Sequence, residues 1–445
     1  AIVMRLKQYS DWKRNMKSER RMLLHSRKIQ IAIVVVMMGF SIYLPYVRSL
    51  SYVYQIAAVG LMVLLCGTTG YAIIPLLVLS TTRSYIAVST QDTFSLYFGL
   101  NGAILALSMI MLLFLAWRKH DFRIKYRNGI ACSCFFGAIL FMSRLWASTT
   151  LEYGDNLNAI CLMYITIPFL FETKQDVVAS KIAFTLAGFF AGIGIVPHLL
   201  NVGTIYEFSV SVDRNYQSCF LLMCTLQTVS LLMQEWQEMK AIHKMFCFVS
   251  ILLDLYIIVT SASRSAFIAM GIAVAVYLLL NIKNIKTTFA AILIGGIIIS
   301  YAYELGMFDF ILERFSLSNV STGNGRTDLW AKYLSRFSEG NPLQMLFGHG
   351  IVGQTDFVFA AHNTFVSVLY YLGILGLLLL VSTIVSAAIS FIKNKEYQEF
   401  VSLIPIMFMC CTIEPYYRIE FAIYLATIVG MSNYYMMRGA KEDVS

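Results

Sequence analysis

Residues 363–391 read NTFVSVLYYLGILGLLLLVSTIVSAAISF, a run without one Asp, Glu, Lys or Arg. Its apolar residues are continuous rather than alternating, so it is not a half-buried strand, and it exceeds the ~20 residues a helix needs to cross a bilayer. Inside lipid every backbone N–H and C=O must find a partner within the segment, which makes a crossing of this kind a helix. Its surplus length, with Gly373 and Gly376 inside it, predicts a tilt or a kink there.

On either side stand further apolar runs, at 30–47, 50–67, 71–82, 97–116, 129–147, 157–171, 182–200, 217–234, 245–260, 265–281, 287–303, 400–413 and 419–437. The run at 71–82 is short and suits a broken or re-entrant segment, so the runs predict about 12–14 transmembrane helices. With 58% hydrophobic and 13% charged residues over 445 positions and a mean hydropathy of +0.69, a soluble domain is excluded. The expectation is an all-α integral membrane protein whose solvent is the lipid bilayer.

The net charge of +9 does not signal nucleic acid, because Lys and Arg form short clusters between apolar runs instead of covering one face. That arrangement is the positive-inside pattern. Nine Lys and Arg fall in residues 1–28, and Arg118, Lys119, Arg123, Lys125 and Arg127 crowd one loop. The connections at 174–181, 240–244, 283–286, 393–395 and 438–441 fall on the same side, placing both termini in the cytoplasm.

The chain thus divides into a basic cytoplasmic tail (1–28), a first set of eleven transmembrane helices (29–303), a large extracytoplasmic loop (304–362), C-terminal spans (363–437) and a short cytoplasmic tail (438–445). In the first tail Trp12, Met16 and Leu23 alternate with cations, which fits either an interfacial helix or a solvated segment that fixes topology. No cleavable signal peptide is expected. The cysteines lie almost entirely in apolar runs without a CxxC pair, as small core residues would. The spans are expected to carry little charge in their interiors, with the polar load at the outer edge, and no inverted repeat of the transporter kind is visible.

Several residues at that outer edge invite chemistry. Arg214 lies in Asp213-Arg214-Asn215-Tyr216, and Arg264 follows Ser261 and Ser263 and precedes Ser265. A boundary arginine either reaches for headgroup phosphates or meets an anionic ligand. The serines around Arg264 can form a phosphate cradle with backbone N–H groups, or simply cap the following helix. His362, before Asn363 and the long apolar run, is a capping residue or a base that titrates near neutrality. His349 sits between Gly348 and Gly350, whose presence also fits a turn. Leu329–Leu334 reads as a short amphipathic surface helix, on which Arg326 and Trp330, four apart, share a face able to hold a sugar ring.

In order and spacing, Thr260-Ser261-Ala262-Ser263-Arg264-Ser265, Gly325-Arg326-Thr327-Asp328-Leu329-Trp330, Leu346-Phe347-Gly348-His349-Gly350 and His362-Asn363-Thr364-Phe365, followed by Gly373-Ile374-Leu375-Gly376, resemble the O-antigen ligase and polymerase superfamily. The Arg-Thr-Asp-Leu-Trp element is more similar to the repeat-unit polymerases of O-antigen and capsule pathways than to the ligases that serve lipid A core. The resemblance implies a GT-C type glycosyltransferase fold in the bacterial cytoplasmic (inner) membrane. It also implies an undecaprenyl-diphosphate-linked oligosaccharide donor, inverting transfer at the outer face, no cofactor and no metal, with a chain-length regulator as a candidate partner.

By the same resemblance Arg264 contacts the donor pyrophosphate and His362 is the base, with Arg326, Trp330, Asn363 and His349 as candidate glycan contacts. The family's other pyrophosphate arginine usually precedes an Asn-containing element, whereas here Arg214 falls inside it. Asp309, Glu313, Asp328, Glu339 and Asp356 are scattered and make no carboxylate cluster for a divalent ion. A ligase would use the same residues. A lipid-linked glycan flippase is the alternative from another class.

Overall fold

The structure is a computed structural model that describes residues 128–147, 154–202, 214–261, 263–280, 300, 303–304, 306, 325–351 and 360–442. The basic tail at 1–28, the apolar runs up to 116, the loop at 118–127, most of the run at 287–303 and parts of the loop at 304–362 lie outside these residues.

The regular structure among the described residues is helical. It comprises α1 (Asn128–Met142), α2 (Gly154–Thr166), α3 (Lys174–Val202), α4 (Arg214–Glu235), α5 (Ala241–Thr260), α6 (Arg264–Leu280), α7 (Arg326–Ser338), α8 (Pro342–Phe347), α9 (Thr364–Lys393), α10 (Tyr397–Cys410) and α11 (Ile419–Glu442), with short 3-10 turns at Ser143–Leu145, Ile167–Leu170 and Pro415–Tyr417. Each apolar run that falls within the described residues is a helix. Helices in α3, α4, α5 and α9 are long and apolar enough to cross a membrane.

α9 is kinked where the glycines predicted it. Gly373 has φ 72°, which a side chain rarely tolerates, and a Cβ there would lie 2.3 Å from the Leu346 carbonyl oxygen. A Cβ on Gly348, φ 79°, would likewise meet the Tyr371 carbonyl at 2.3 Å. The loop after α8 therefore lies directly on the backbone of the kink. The amides of His349 and Gly350 donate to the carbonyls of Tyr370 and Tyr371, both at 3.0 Å, fastening the loop to the kink.

The core between α1, α2, α3, α4, α10 and α11 is aromatic and aliphatic. Phe136 and Tyr164 meet edge to face at 5.1 Å, as do Phe184 and Tyr424 at 5.8 Å, an arrangement favoured by the ring quadrupoles. The hydroxyl of Tyr424 donates to the Ser402 carbonyl at 2.8 Å, so its burial leaves no donor stranded. Phe248 and Leu252 of α5 and Leu378, Val385 and Ile389 of α9 face outward, as lipid-facing side chains do.

The spans are less clean than expected. Lys181 and Glu399 form an ion pair with both side chains fully buried, flanked by Ser230 and by Gln234, whose side-chain oxygen accepts from Lys181 at 2.5 Å. Lys181 thus sits inside α3, not in a basic connection. Asp254 of α5 is also fully buried and accepts from Thr225 at 3.3 Å. Hydropathy averaging hides these charges because one charge in a long apolar window barely moves the mean, and Lys181 and Glu399 neutralise each other from distant helices.

Two polar ends cap the bundle. At one, Lys174 pairs with Glu235 at 2.8 Å and Arg438 with Glu396 at 3.4 Å. At the other lie the starts of α4, α6, α9 and α11, and α7 packs there on the first turns of α9.

Candidate active site

His362 and Asn363 form the entry to α9. Asn363 is its N-cap, accepting from the amides of Phe365 at 3.0 Å and Val366 at 3.2 Å, the usual way to satisfy donors at a helix start. His362 just before it has φ 51°, a left-handed conformation that costs a non-glycine residue about 1 kcal/mol or more and persists only where neighbours enforce it.

The enforcing group is Glu414, in the turn between α10 and α11. Its carboxylate accepts the His362 amide at 2.5 Å and the Ser367 hydroxyl at 2.7 Å. Thr364 donates to the neighbouring Ile413 carbonyl at 2.9 Å. Burial pushes the Glu414 carboxyl up to about 7, against the opposing pull of Ser367 and the backbone amides of 361–363. A group poised near neutrality therefore holds the backbone of the proposed base.

On its other flank this entry is held by α7. The Trp330 indole N–H donates to the Ala361 carbonyl at 2.8 Å, and Tyr333, buried below it, meets Tyr370 edge to face at 5.2 Å. A helix covers the predicted 329–334 stretch and extends beyond it, with Arg326 as its first residue, and it is anchored through Trp330, Tyr333 and Phe337. His349 lies along α9, stacked on Tyr370 at 4.4 Å and 9°, its Nδ1 3.2 Å from the Tyr370 carbonyl oxygen. That places it in the kink lock.

Arg214 and Arg264 begin α4 and α6, and their neighbours touch. Ser263 donates to the Asn215 side-chain oxygen at 2.9 Å, and the Ser218 and Ser261 hydroxyls are 2.7 Å apart. The hydroxyls of Ser261 and Ser263 are engaged with protein, Ser263 also receiving the Ala266 amide at 3.5 Å. This favours the capping role for the serines and leaves the two guanidiniums and the helix starts as the features suited to an anion.

The 414–418 turn joins the two halves. The hydroxyls of Tyr216, after Asn215, and Tyr417 lie 3.1 Å apart, and the Arg418 guanidinium sits over the Tyr216 ring at 4.6 Å and the Tyr417 ring at 5.7 Å. Tyr416, fully buried, contacts Ser367 at 3.1 Å and receives the Tyr164 hydroxyl on its carbonyl at 3.3 Å. The sequence analysis assigned no chemistry to this turn. The available signal was local: Glu414-Pro415-Tyr416-Tyr417-Arg418 places an acid, two phenols and a cation in one short break between apolar runs.

No curated protein matches the chain. Residues 249–381 match the family model described as O-antigen ligase. The match runs from within α5 to within α9 and includes Arg264, Arg326, Trp330, His349, His362 and Asn363, while Arg214 and the 414–418 turn lie outside it. Over that stretch the chain is similar to that family.

Proposed function

We propose that the protein polymerises undecaprenyl-diphosphate-linked oligosaccharide repeat units, of O-antigen or capsular type, at the outer face of the bacterial cytoplasmic membrane on a GT-C type scaffold. The observation that carries this reading is the meeting, at one end of the bundle, of two arginine-bearing helix starts with a histidine held by a buried glutamate.

In the reaction His362 takes the proton of an acceptor sugar hydroxyl, whose oxygen attacks the anomeric carbon of the donor. The bond from that carbon to the diphosphate oxygen breaks with inversion, and the lipid diphosphate leaves with the bonding electrons. Arg214 and Arg264 stabilise the charge that grows on it, the work a divalent ion does in other transferases. Glu414 does not touch the sugar in this scheme. It positions His362 through the backbone. Arg326, Trp330 and Asn363 border the acceptor side as glycan contacts, and His349 supports them from the kink.

The deciding experiment incubates the full chain in nanodiscs with an authentic lipid-diphosphate-linked repeat unit and a chelator. A product ladder lost in His362→Ala supports the polymerase. A single transfer that requires lipid A core or another acceptor identifies a ligase, to which the family description also points. No product with authentic donor and acceptor, together with donor movement across the bilayer, turns the reading to transport. A chain-length regulator added to the assay is expected to narrow the ladder, not to create it.

A further inference from the structure

Ser367, in the first turn of α9, has one hydroxyl hydrogen and two polar neighbours. It donates to the Glu414 carboxylate at 2.7 Å and lies 3.1 Å from the Tyr416 hydroxyl. A serine hydroxyl donates once and accepts through its lone pairs. With that hydrogen committed to the carboxylate, the second contact has one sense: Tyr416 donates and Ser367 accepts. The bonds run from Tyr416 to Ser367 to Glu414, whose other oxygen accepts the His362 amide at 2.5 Å. Tyr416 itself is fixed, fully buried in the 3-10 turn Pro415–Tyr417, with its carbonyl accepting from the Tyr164 hydroxyl of α2 at 3.3 Å.

Consecutive hydrogen bonds polarise one another, so a donor behind Ser367 strengthens its hold on the carboxylate. Were the facing oxygen of Glu414 protonated, both hydroxyls would reverse and the Tyr416 hydrogen would be stranded in a buried place. We propose that Tyr416 is a positioning residue of the transfer site: through Ser367 it orients Glu414, and so fixes the backbone on which His362 stands. The inference rests on the proposed function for what His362 does, and extends it to a residue outside the matched family region. Burial pushes the Glu414 carboxyl up to about 7, and Ser367 pulls it the other way. The phenols of Tyr216 in α4, Tyr333 in α7 and Tyr416 and Tyr417 in the turn lie within its electrostatic reach. Arg418 lies over two of those rings, and His362 precedes α9. Phenols and guanidiniums keep their charge state between about pH 5 and about pH 8, so within this site a change in that window belongs to Glu414 or His362.

Tyr416→Phe deletes the hydroxyl and keeps the ring. In melting curves of the full chain in nanodiscs, wild-type stability should fall as pH rises from about 4.5 through about 7. Glu414→Gln should lack this limb, which assigns it. Cutting the relay favours the protonated carboxyl, so in Tyr416→Phe the limb should end higher, by roughly half to one pH unit. Turnover per folded molecule on the lipid-diphosphate-linked donor should drop roughly three- to tenfold with KM unchanged. Ser367→Ala should reproduce both effects, and adding Tyr416→Phe to it should change nothing further, since the chain is already cut. A variant that only loosened packing would leave the limb in place, and its losses would add to those of Ser367→Ala. Either result overturns the inference and leaves the proposed function standing. If Ser367→Ala does not fold, the same comparison is made in Glu414→Gln, where Tyr416→Phe should be silent. A wild type that makes no product from authentic donor and acceptor overturns the proposed function instead, and the melting limb alone then decides whether Tyr416 acts on Glu414.

Discussion

The two ends of this bundle handle charge in opposite ways. At one end carboxylates meet cations directly, in Lys174–Glu235 and Arg438–Glu396, as they do within the adjoining spans in Lys181–Glu399. At the other, Glu414 holds backbone amides and the Ser367 hydroxyl, and Arg418 lies on tyrosine faces. Ion pairs of the first kind neutralise charge inside the protein and fasten helices to one another. Groups of the second kind are oriented by backbone amides, a hydroxyl and ring faces, the preorganisation that a site for an anionic donor requires.

If that contrast is right, substitutions at the two ends separate activity from stability. The largest effect is expected from His362→Ala, which should lower polymer formation by about a hundred to ten thousand-fold while the protein still purifies as a folded species; a variant with normal ladders would remove the site from this end. Next, Lys181→Met should destabilise the fold by about 3–5 kcal/mol, since Glu399 is left buried and unneutralised. Thermal unfolding in nanodiscs checks this, and Lys181→Met with Glu399→Leu together should recover most of the loss. Turnover per folded molecule that falls along with stability would blur the division of labour.

Glu414→Gln belongs to both columns. It keeps an acceptor for the His362 amide but removes the charge, and roughly a tenfold fall in turnover is expected. Its pH signature has a definite sign. Because burial raises the Glu414 carboxyl from 4.5 to about 7, the folded state binds the extra proton. The wild type should therefore lose stability as pH rises from about 4.5 through about 7, where the glutamine variant does not. Melting curves of the two proteins at pH 5 and pH 8 that stay parallel would argue against a buried, titrating Glu414. The smallest effect is expected from Trp330→Phe, which retains the packing of α7 but deletes the indole donor to Ala361; a few-fold loss of turnover is anticipated, with unfolding stability unchanged within about 1 kcal/mol.

The legibility of the site differed by residue. His362, Asn363 and Arg264 stood out because their signals are local: a capping pair before a long apolar run, and a cation after serines at a helix start. The kink at Gly373 was equally local. His349 was visible as a residue but not as a contact, since its stacking on Tyr370 depends on how the loop after α8 folds back. Glu414, Tyr417 and Arg418 lie in a turn of a few residues that has no periodicity to read, and what makes them notable is what they touch.

Hydrophobic continuity alone determined that the chain is a set of membrane-type helices, where those helices run among the described residues, and which short polar elements lie between them. Lipid forces each apolar run to satisfy its own backbone, and that constraint is written along the chain. Only the tertiary structure decided the partnerships: His362 with Glu414, 52 residues away, Tyr216 with Tyr417, 201 away, and Lys181 with Glu399, 218 away. A run of hydropathy records which faces avoid water, but a buried charge or a strained histidine is tolerated only by a specific group from another helix, and packing alone brings that group within reach.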